Sequence, residues 1–397
     1  LRLTKACIPL GGAWSSPFCR WQGPLSSVSS LDLAADVSRR ALVARGVPAD
    51  ELTEVVLGWT VPQPGSFYGA STLAGKIGAP GISGPMVAQA CATSAAAIGL
   101  AATSLEVGDA VFGDGALTLV AVTDRVSNGP HIVWPGPGTQ GGAVRAEDFV
   151  LENFRRDPWA GEAMVATAEA VAQEGGFTRE QIDELTLMRY QQYCSSLEDD
   201  RAFQRRYMVP VGVRDGFIEA DAGIRESTAA GLSALEPVTP GGVITYGSQT
   251  HPADGAAGAL VTGERRAREL GRDGAFARVL GFGTARVEKA RMPKAPVPAA
   301  ERALAAAGLN WGQIDLVTTH NPFAVNDLWL AAQTGLDVER MNQFGSSLIY
   351  GHPQGPTGAR ALAELIEALA LRGGGTGLFT GCAAGDTGAA LVVRLEG

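Results

Sequence analysis

Apolar and polar positions fall into a unit that occurs twice along the chain. Residues 30–60 open on Ser30, run as LDLAADVSRRALVARG with apolar residues at helical spacing, and pass through VPADELTEVVLG into a β-branched run. Residues 297–320 follow the same order, PVPAAERALAAAG and then LNWGQIDLVTTH. Setting Gly46 against Gly308 brings Leu52 opposite Ile314 and Val55 opposite Val317 without a gap. Each unit is followed by a further helical run: ATSAAAIGLAATSLEVGD after Cys91, and ARALAELIEALALRGG after an HPQGPTG turn. The shared order and glycine placement predict a duplicated helix–loop–strand core.

The region between the two halves has a different pattern. It opens on loop-like SNGPHIVWPGPGTQGG and continues with two helical stretches, GEAMVATAEAVAQEGG and TREQIDELTLMRYQQYCSSLEDD. The second begins with Thr178 and Gln181 at capping-box spacing. Strand-like ALVTG and the helix ERRARELG then lead to ARVLGFGTA. The expected division is residues 1–120 plus 245–275 for the first half, 121–244 for an inserted domain, and 276–397 for the second half.

Composition narrows the class. A chain of 397 residues with 46% hydrophobic and 7% aromatic residues, rich in Gly and Ala, suits a layered α/β protein of two or three domains. A net charge of −9 gives no support to nucleic-acid binding, although a local basic patch can still hold an anion. The five cysteines are scattered and form no CxxC pair, so neither a zinc ribbon nor a disulfide framework is expected. Reduced thiols in a cytoplasmic enzyme are the simpler reading. No run of about 18 apolar residues is free of charges or glycine breaks, so no membrane span is expected. The N-terminus carries no signal-peptide pattern, and residue 1 is not Met.

Candidate chemistry gathers at turns. In MVAQACATSAAAIGL, Cys91 follows an apolar run read as a buried strand and precedes a small-residue helix. A helix N-terminus favours a thiolate, and its free N–H groups can bind an oxyanion. A small buried core cysteine is the plain alternative. Of four histidines, His352 lies in the Gly/Pro-rich turn YGHPQGPTGAR, and His320 ends the strand IDLVTTH, where α/β folds bind ligands. Cys382 sits between Gly381 and Gly385 in GLFTGCAAGDTGAALVV. Structural roles remain open for each. A thiol nucleophile, a histidine base and a second proton carrier are the parts of acyl transfer. The lack of close Cys/His pairs argues against a metal site.

Taken in order, these motifs resemble the thiolases over nearly the whole chain. QACATS stands at the nucleophile motif, and GDAVF…AVTDRVSNGP is similar to the following strand and loop. GEAMVATAEAVA is similar to the start of the coenzyme A-binding loop domain, and YGSQTHPADGAAGALV to the return segment. HNPFA, GHPQGPTGAR and GCAAGDTGAALVV correspond to the three C-terminal motifs. The resemblance implies a five-layered α-β-α-β-α core with an inserted loop domain. It also implies that Cys91 attacks the 3-keto carbon of a 3-oxoacyl-CoA, that His352 takes the Cys91 proton, and that Cys382 moves a proton at the α-carbon. The N–H groups of Cys91 and Ala384 would form one oxyanion hole, and His320 with His352 the other. Thr250, His251, Met164 and Phe323 would line the acyl-CoA path. Arg205 and Arg206 are the basic candidates for its phosphates, with Arg155, Arg156 and Arg201 behind them. No metal or bound cofactor is implied, because coenzyme A enters as a substrate.

The departures matter too. His320-Asn321-Pro322-Phe323 stands where many thiolases read Asn-Glu-x-Phe, a substitution typical of the sterol-carrier-protein-type and archaeal-type branches. Ala163, Ala384 and Ala234-Leu235-Glu236 replace a His, a Gly and a basic stretch of the family. The His-containing branches often work with a small OB-fold, zinc-ribbon partner. A homodimer or dimer of dimers is expected, and the aromatic segment IPLGGAWSSPFCRWQGPL could serve as a contact surface, a dimer interface or plain core. A bulky or aromatic substrate such as benzoylsuccinyl-CoA is one expectation for the acyl group. The rivals are a retro-aldolase of steroid side-chain degradation, which does not need the cysteine, and a non-catalytic acyl-CoA-binding subunit. The intact Cys91, His352 and Cys382 speak against both.

Overall fold

The computed structural model describes residues 1–108, 115–138 and 140–397. Residues 109–112, most of the GDAVF run, lie outside them. Along the chain come β1 (Cys7–Pro9), β2 (Ala13–Ser15), β3 (Cys19–Arg20), β4 (Glu54–Gly58), β5 (Met86–Val87) and β6 (Leu117–Arg125). The insert adds two hairpins, β7 (His131–Trp134) with β8 (Arg145–Asp148) and β9 (Val211–Val213) with β10 (Gly216–Ile218). Then follow β11 (Ala253–Thr262), β12 (Phe276–Arg286), β13 (Leu316–His320), β14 (Gly375–Ala383) and β15 (Thr387–Glu396).

Pairing shows the duplication directly. In the first half β1 pairs antiparallel with β11, β11 antiparallel with β6, and β6 parallel with β4. In the second half β12, β15, β14 and β13 repeat that order and those senses. The halves join where β1 also pairs antiparallel with β12. The gapless sequence register holds as well. Gly46 and Gly308 both adopt left-handed backbone after a helix, and Val55 and Val317 are each the second residue of β4 and β13.

The layers follow from what each helix touches. The Thr93–Val107 helix packs on β4, β6 and β11 of one half and on β12 and β15 of the other. The Thr357–Arg372 helix likewise meets β13, β14 and β15 as well as β2 and β11. These two form the middle layer. The Ser30–Ala44 and Pro296–Ala307 helices cover the outer faces. The result is the expected five-layered α/β arrangement. A middle-layer helix packs on a sheet on each side, which explains why the first is rich in small residues. A Cβ on Gly99 would lie 3.0 Å from the Phe282 ring. Residues 90–107 are apolar and long enough to cross a membrane, but here just over half of that segment is buried and it packs on both sheets.

The boundary expected at residue 121 falls inside a strand, the one that the AVTDR resemblance implies. β6 continues through Ala121 to Arg125, and Thr123 and Asp124 are buried within it. Polar side chains can be buried there because they are satisfied internally. Asp124 accepts N–H groups from Thr60, Val61 and Gly355. The Thr178–Gln181 capping box forms as expected. The aromatic N-terminal segment is core, with Trp14, Phe18 and Cys19 fully buried. All five cysteines are free.

The insert is bolted to the middle layer by buried charge. Arg360 makes a two-pronged ion pair with Asp221 at 2.6 and 2.8 Å and a third bond to Glu364 at 3.0 Å. Tyr207 and Tyr350 donate to the same Glu364.

Candidate functional site

Cys91 is presented by a turn, not by a long buried strand. β5 is only two residues long and half-buried, which corrects the reading of MVAQA. Ala90 then takes φ +46°, a left-handed conformation unusual for a residue with a Cβ. Thr93 holds the bend: its hydroxyl donates to Ala90 O at 2.6 Å and accepts Gln89 N–H at 2.8 Å. The helix begins at Thr93, so Cys91 lies just ahead of its N-terminus.

The second half supplies the other groups. His352 Nε2 lies 3.1 Å from Cys91 Sγ, and its Nδ1 lies 2.6 Å from Thr357 Oγ1. With Nδ1–H donating to Thr357, Nε2 is left as the acceptor for the thiol proton. His320 stacks on His352 with ring centroids 4.1 Å apart, and its Nδ1 meets Ser347 Oγ at 2.9 Å. Its Nε2 is buried without a partner among the described residues. One sulfur and two ring nitrogens thus lie within 4.8 Å of one another. A soft cation also needs such donors, but the thiol and His352 Nε2 are engaged with each other through one proton.

Burial sets the protonation states. It pushes the Cys91 thiol up to about 12, against the opposing pull of the N–H groups of Ala384 and of Cys91 itself, which point at the sulfur. The thiolate expected from the helix N-terminus is therefore not the resting form. Burial brings His320 down to about 3 and, with His320 beside it, holds His352 well below its usual value. The resting pair is a neutral thiol and a neutral imidazole.

Cys382 lies one residue past Gly381, which pairs with His320 across β13 and β14. It is fully buried, accepts Asn326 Nδ2–H at 3.2 Å, and burial raises its thiol well above the usual value. Phe323 and Met164 pack in the apolar cluster around Cys382. Thr250 donates its hydroxyl to Ser347 O, and its N–H bonds Pro322 O at 2.7 Å. The His251 carbonyl accepts His352 N–H at 2.9 Å. Its ring lies against Gly351, where a Cβ would come within 2.7 Å of Nε2, and burial brings its pKa down to about 4.

Arg205 and Arg206 are not brought to this cluster. Arg206 pairs with Glu367, which lies about 15 Å along the helix from Thr357 at 1.5 Å per residue. Arg205 pairs with Asp200. Both line a separate cleft of about 1180 Å³ with Arg39, Arg40, Arg45 and Arg272. Arg201 pairs with Glu219. Arg155 and Arg156 are exposed and precede Asp157, which accepts Gly385 N–H at 2.9 Å, so they lie beside the turn that carries Ala384. Sequence reasoning missed Gln354, Thr357, Ser347 and Asn326. Thr357 stands in the His352 turn itself, and Asn326 at the third position of the helix that follows Phe323.

Comparison with known proteins agrees with this geometry. The family description "Thiolase, N-terminal domain" matches residues 11–265, and "Thiolase, C-terminal domain" matches residues 274–395. An acetyl-CoA acetyltransferase of Escherichia coli is 31% identical over 94% of this chain and 95% of its own. One from Pseudomonas aeruginosa is 29% identical over 95% and 96%. Among solved structures, human mitochondrial 3-ketoacyl-CoA thiolase in complex with CoA superposes with a TM-score of 0.90 at 24% identity over all of both chains. The Bacillus anthracis acetyl-CoA acetyltransferase gives 0.88 at 27% identity, again over all of both chains.

Proposed function

Because the chain belongs to the thiolase family and is an acyltransferase of that kind, we propose that it cleaves or forms a 3-oxoacyl-CoA through an acyl group carried on Cys91. The observation that carries this reading is the 3.1 Å contact between Cys91 Sγ and a neutral His352 Nε2. The thiol gives its proton to His352 as sulfur bonds to the 3-keto carbon. The Cys91 and Ala384 N–H groups stabilise the resulting oxyanion. The bond between C2 and C3 then breaks, and Cys382 delivers a proton to C2 of the departing acetyl-CoA enolate. His320 Nε2, which has no other partner among the described residues, donates to the enolate oxygen. The thiol of a second coenzyme A gives its proton to the Cys382 thiolate and attacks the acyl group, and Cys91 leaves with the proton held by His352, so that all three groups return to their resting forms. Coenzyme A is the substrate, and no further cofactor enters these steps.

Incubation with a 3-oxoacyl-CoA followed by mass spectrometry of the Cys91 peptide tests the reading. An acyl adduct is expected, and turnover that survives Cys91→Ala would overturn it. A panel running from linear chains to benzoylsuccinyl-CoA reads the acyl preference. β5 is an edge of the main sheet beside the Cys91 turn, and a second copy pairing there would give the homodimer. Native mass measurement checks the dimer, and co-purification checks for a small OB-fold partner.

A further inference from the structure

Cys91 has a second side-chain neighbour that the reaction just described does not use. Gln354 Oε1 lies 3.4 Å from Cys91 Sγ, and Gln354 is almost fully buried. Its backbone takes φ +66°, a left-handed conformation that a glutamine rarely adopts. The next residue is fixed from two sides: Gly355 N–H donates to Asp124 Oδ2, and Gly355 O accepts from Ser94 Oγ. The turn is thus held by the first half of the chain in the conformation that aims Gln354 at the sulfur. Gln354 Nε2 has no partner among the described residues. One S–H proton faces two acceptors, His352 Nε2 and Gln354 Oε1. Once His352 takes that proton, a carbonyl oxygen would face a thiolate, which is repulsive. Rotation about the last side-chain bond exchanges Oε1 for Nε2, and the two ends are equivalent in shape. The rotation breaks no hydrogen bond between Nε2 and the described residues, and it gives up only the Oε1 contact to the thiol.

We propose that Gln354 is a catalytic residue whose amide accepts from the Cys91 thiol at rest and, turned over, donates Nε2–H to the Cys91 thiolate. It is a third donor beside the N–H groups of Cys91 and Ala384. The other ionisable groups around this sulfur are His352, His320, Cys382 and Asp124. None of them except protonated His352 can favour the anion at neutral pH. The assignment as catalytic rests on the thiolase reading, but the hydrogen bond to Cys91 is testable without substrate.

The test compares Gln354→Met and Gln354→Glu with the unaltered enzyme by the rate of Cys91 alkylation with iodoacetamide, read by peptide mass. Met keeps the shape and removes the donor. Its alkylation is expected to slow about tenfold at every pH, the worth of one hydrogen bond to a charged group. Glu donates when protonated and repels when ionised. That variant is expected to react near the normal rate at about pH 5 and more than about tenfold slower at about pH 8. Thermal midpoints confirm that both variants are folded. Normal alkylation of the Met variant, or a Glu variant with no pH-dependent gap, would overturn the proposal. So would slowed alkylation with unchanged single-turnover acylation, since the amide would then not act in the reaction. If the unaltered enzyme alkylates at Cys91 but turns over no acyl-CoA, the thiolase reading fails while the contact to Gln354 stands.

Discussion

At Cys91 two effects oppose each other, and burial wins. Two N–H groups favour the thiolate, yet desolvation keeps the thiol protonated up to about pH 12. His352 is neutral for the same reason. The reactive form is then the neutral pair, and it dominates from well below pH 6.5 to far into the alkaline range. Single-turnover acylation is accordingly expected to vary less than about twofold between about pH 6.5 and 8.5. A break near pH 6.5 would mean that His352 titrates as a free imidazole. His320 carries a stability prediction. Its folded-state pKa, brought down to about 3, lies below the unfolded value of about 6.5. The unfolded chain therefore binds more protons between those values, and stability falls as pH drops from about 6.5 towards 3. Replacing it, His320→Gln, removes this proton uptake. The variant should lose less in thermal midpoint between about pH 7 and 5 than the unaltered protein does. An equal loss would show that His320 does not supply the slope.

Among the elements, the Thr357–Arg372 helix does most to place the site. Its first residue orients His352, and its buried Arg360 and Glu364 hold the insert through Asp221 and Tyr207. Removing one charge from this network leaves carboxylates buried without compensation. Arg360→Met is expected to cost about 3–5 kcal/mol in chemical denaturation. A loss below about 1 kcal/mol would mean that water relieves the carboxylates. None of this was legible in the sequence: ARALAELIEALALRGG shows helical periodicity, but its Arg and Glu look like an exposed face. Patterning reports spacing along one element and is silent on what covers it. The same limit explains the other misses. The arginines of RAFQRRY gave no sign that acidic partners already held them. Cys91, His352, His320 and Cys382 were legible because each sits at a turn or a strand end marked by small residues or proline, and those marks are local.

On the scale of the whole molecule, the duplication was legible as a constant spacing between Gly46 and Gly308, while the union of the halves was not. It depends on β1, a three-residue strand too short to read, which pairs with both β11 and β12. It depends equally on two helices that each pack on both halves. Neither half closes its own core, because the middle layer is shared, and the site is likewise divided. Cys91 comes from the first half, and its base, second thiol and amide neighbour from the second. Folding and site assembly should therefore be one event. Urea unfolding followed by tryptophan fluorescence, with either Trp14 or Trp311 kept as a reporter for its half, is expected to give coincident transitions. Exposure of Cys91 to iodoacetamide should follow the same curve. Two separated transitions, or residues 276–397 folding stably when expressed alone, would show that the halves are independent and merely docked. Coincidence would mean that the acyl-transfer site exists only when both copies of the ancestral unit are folded against each other.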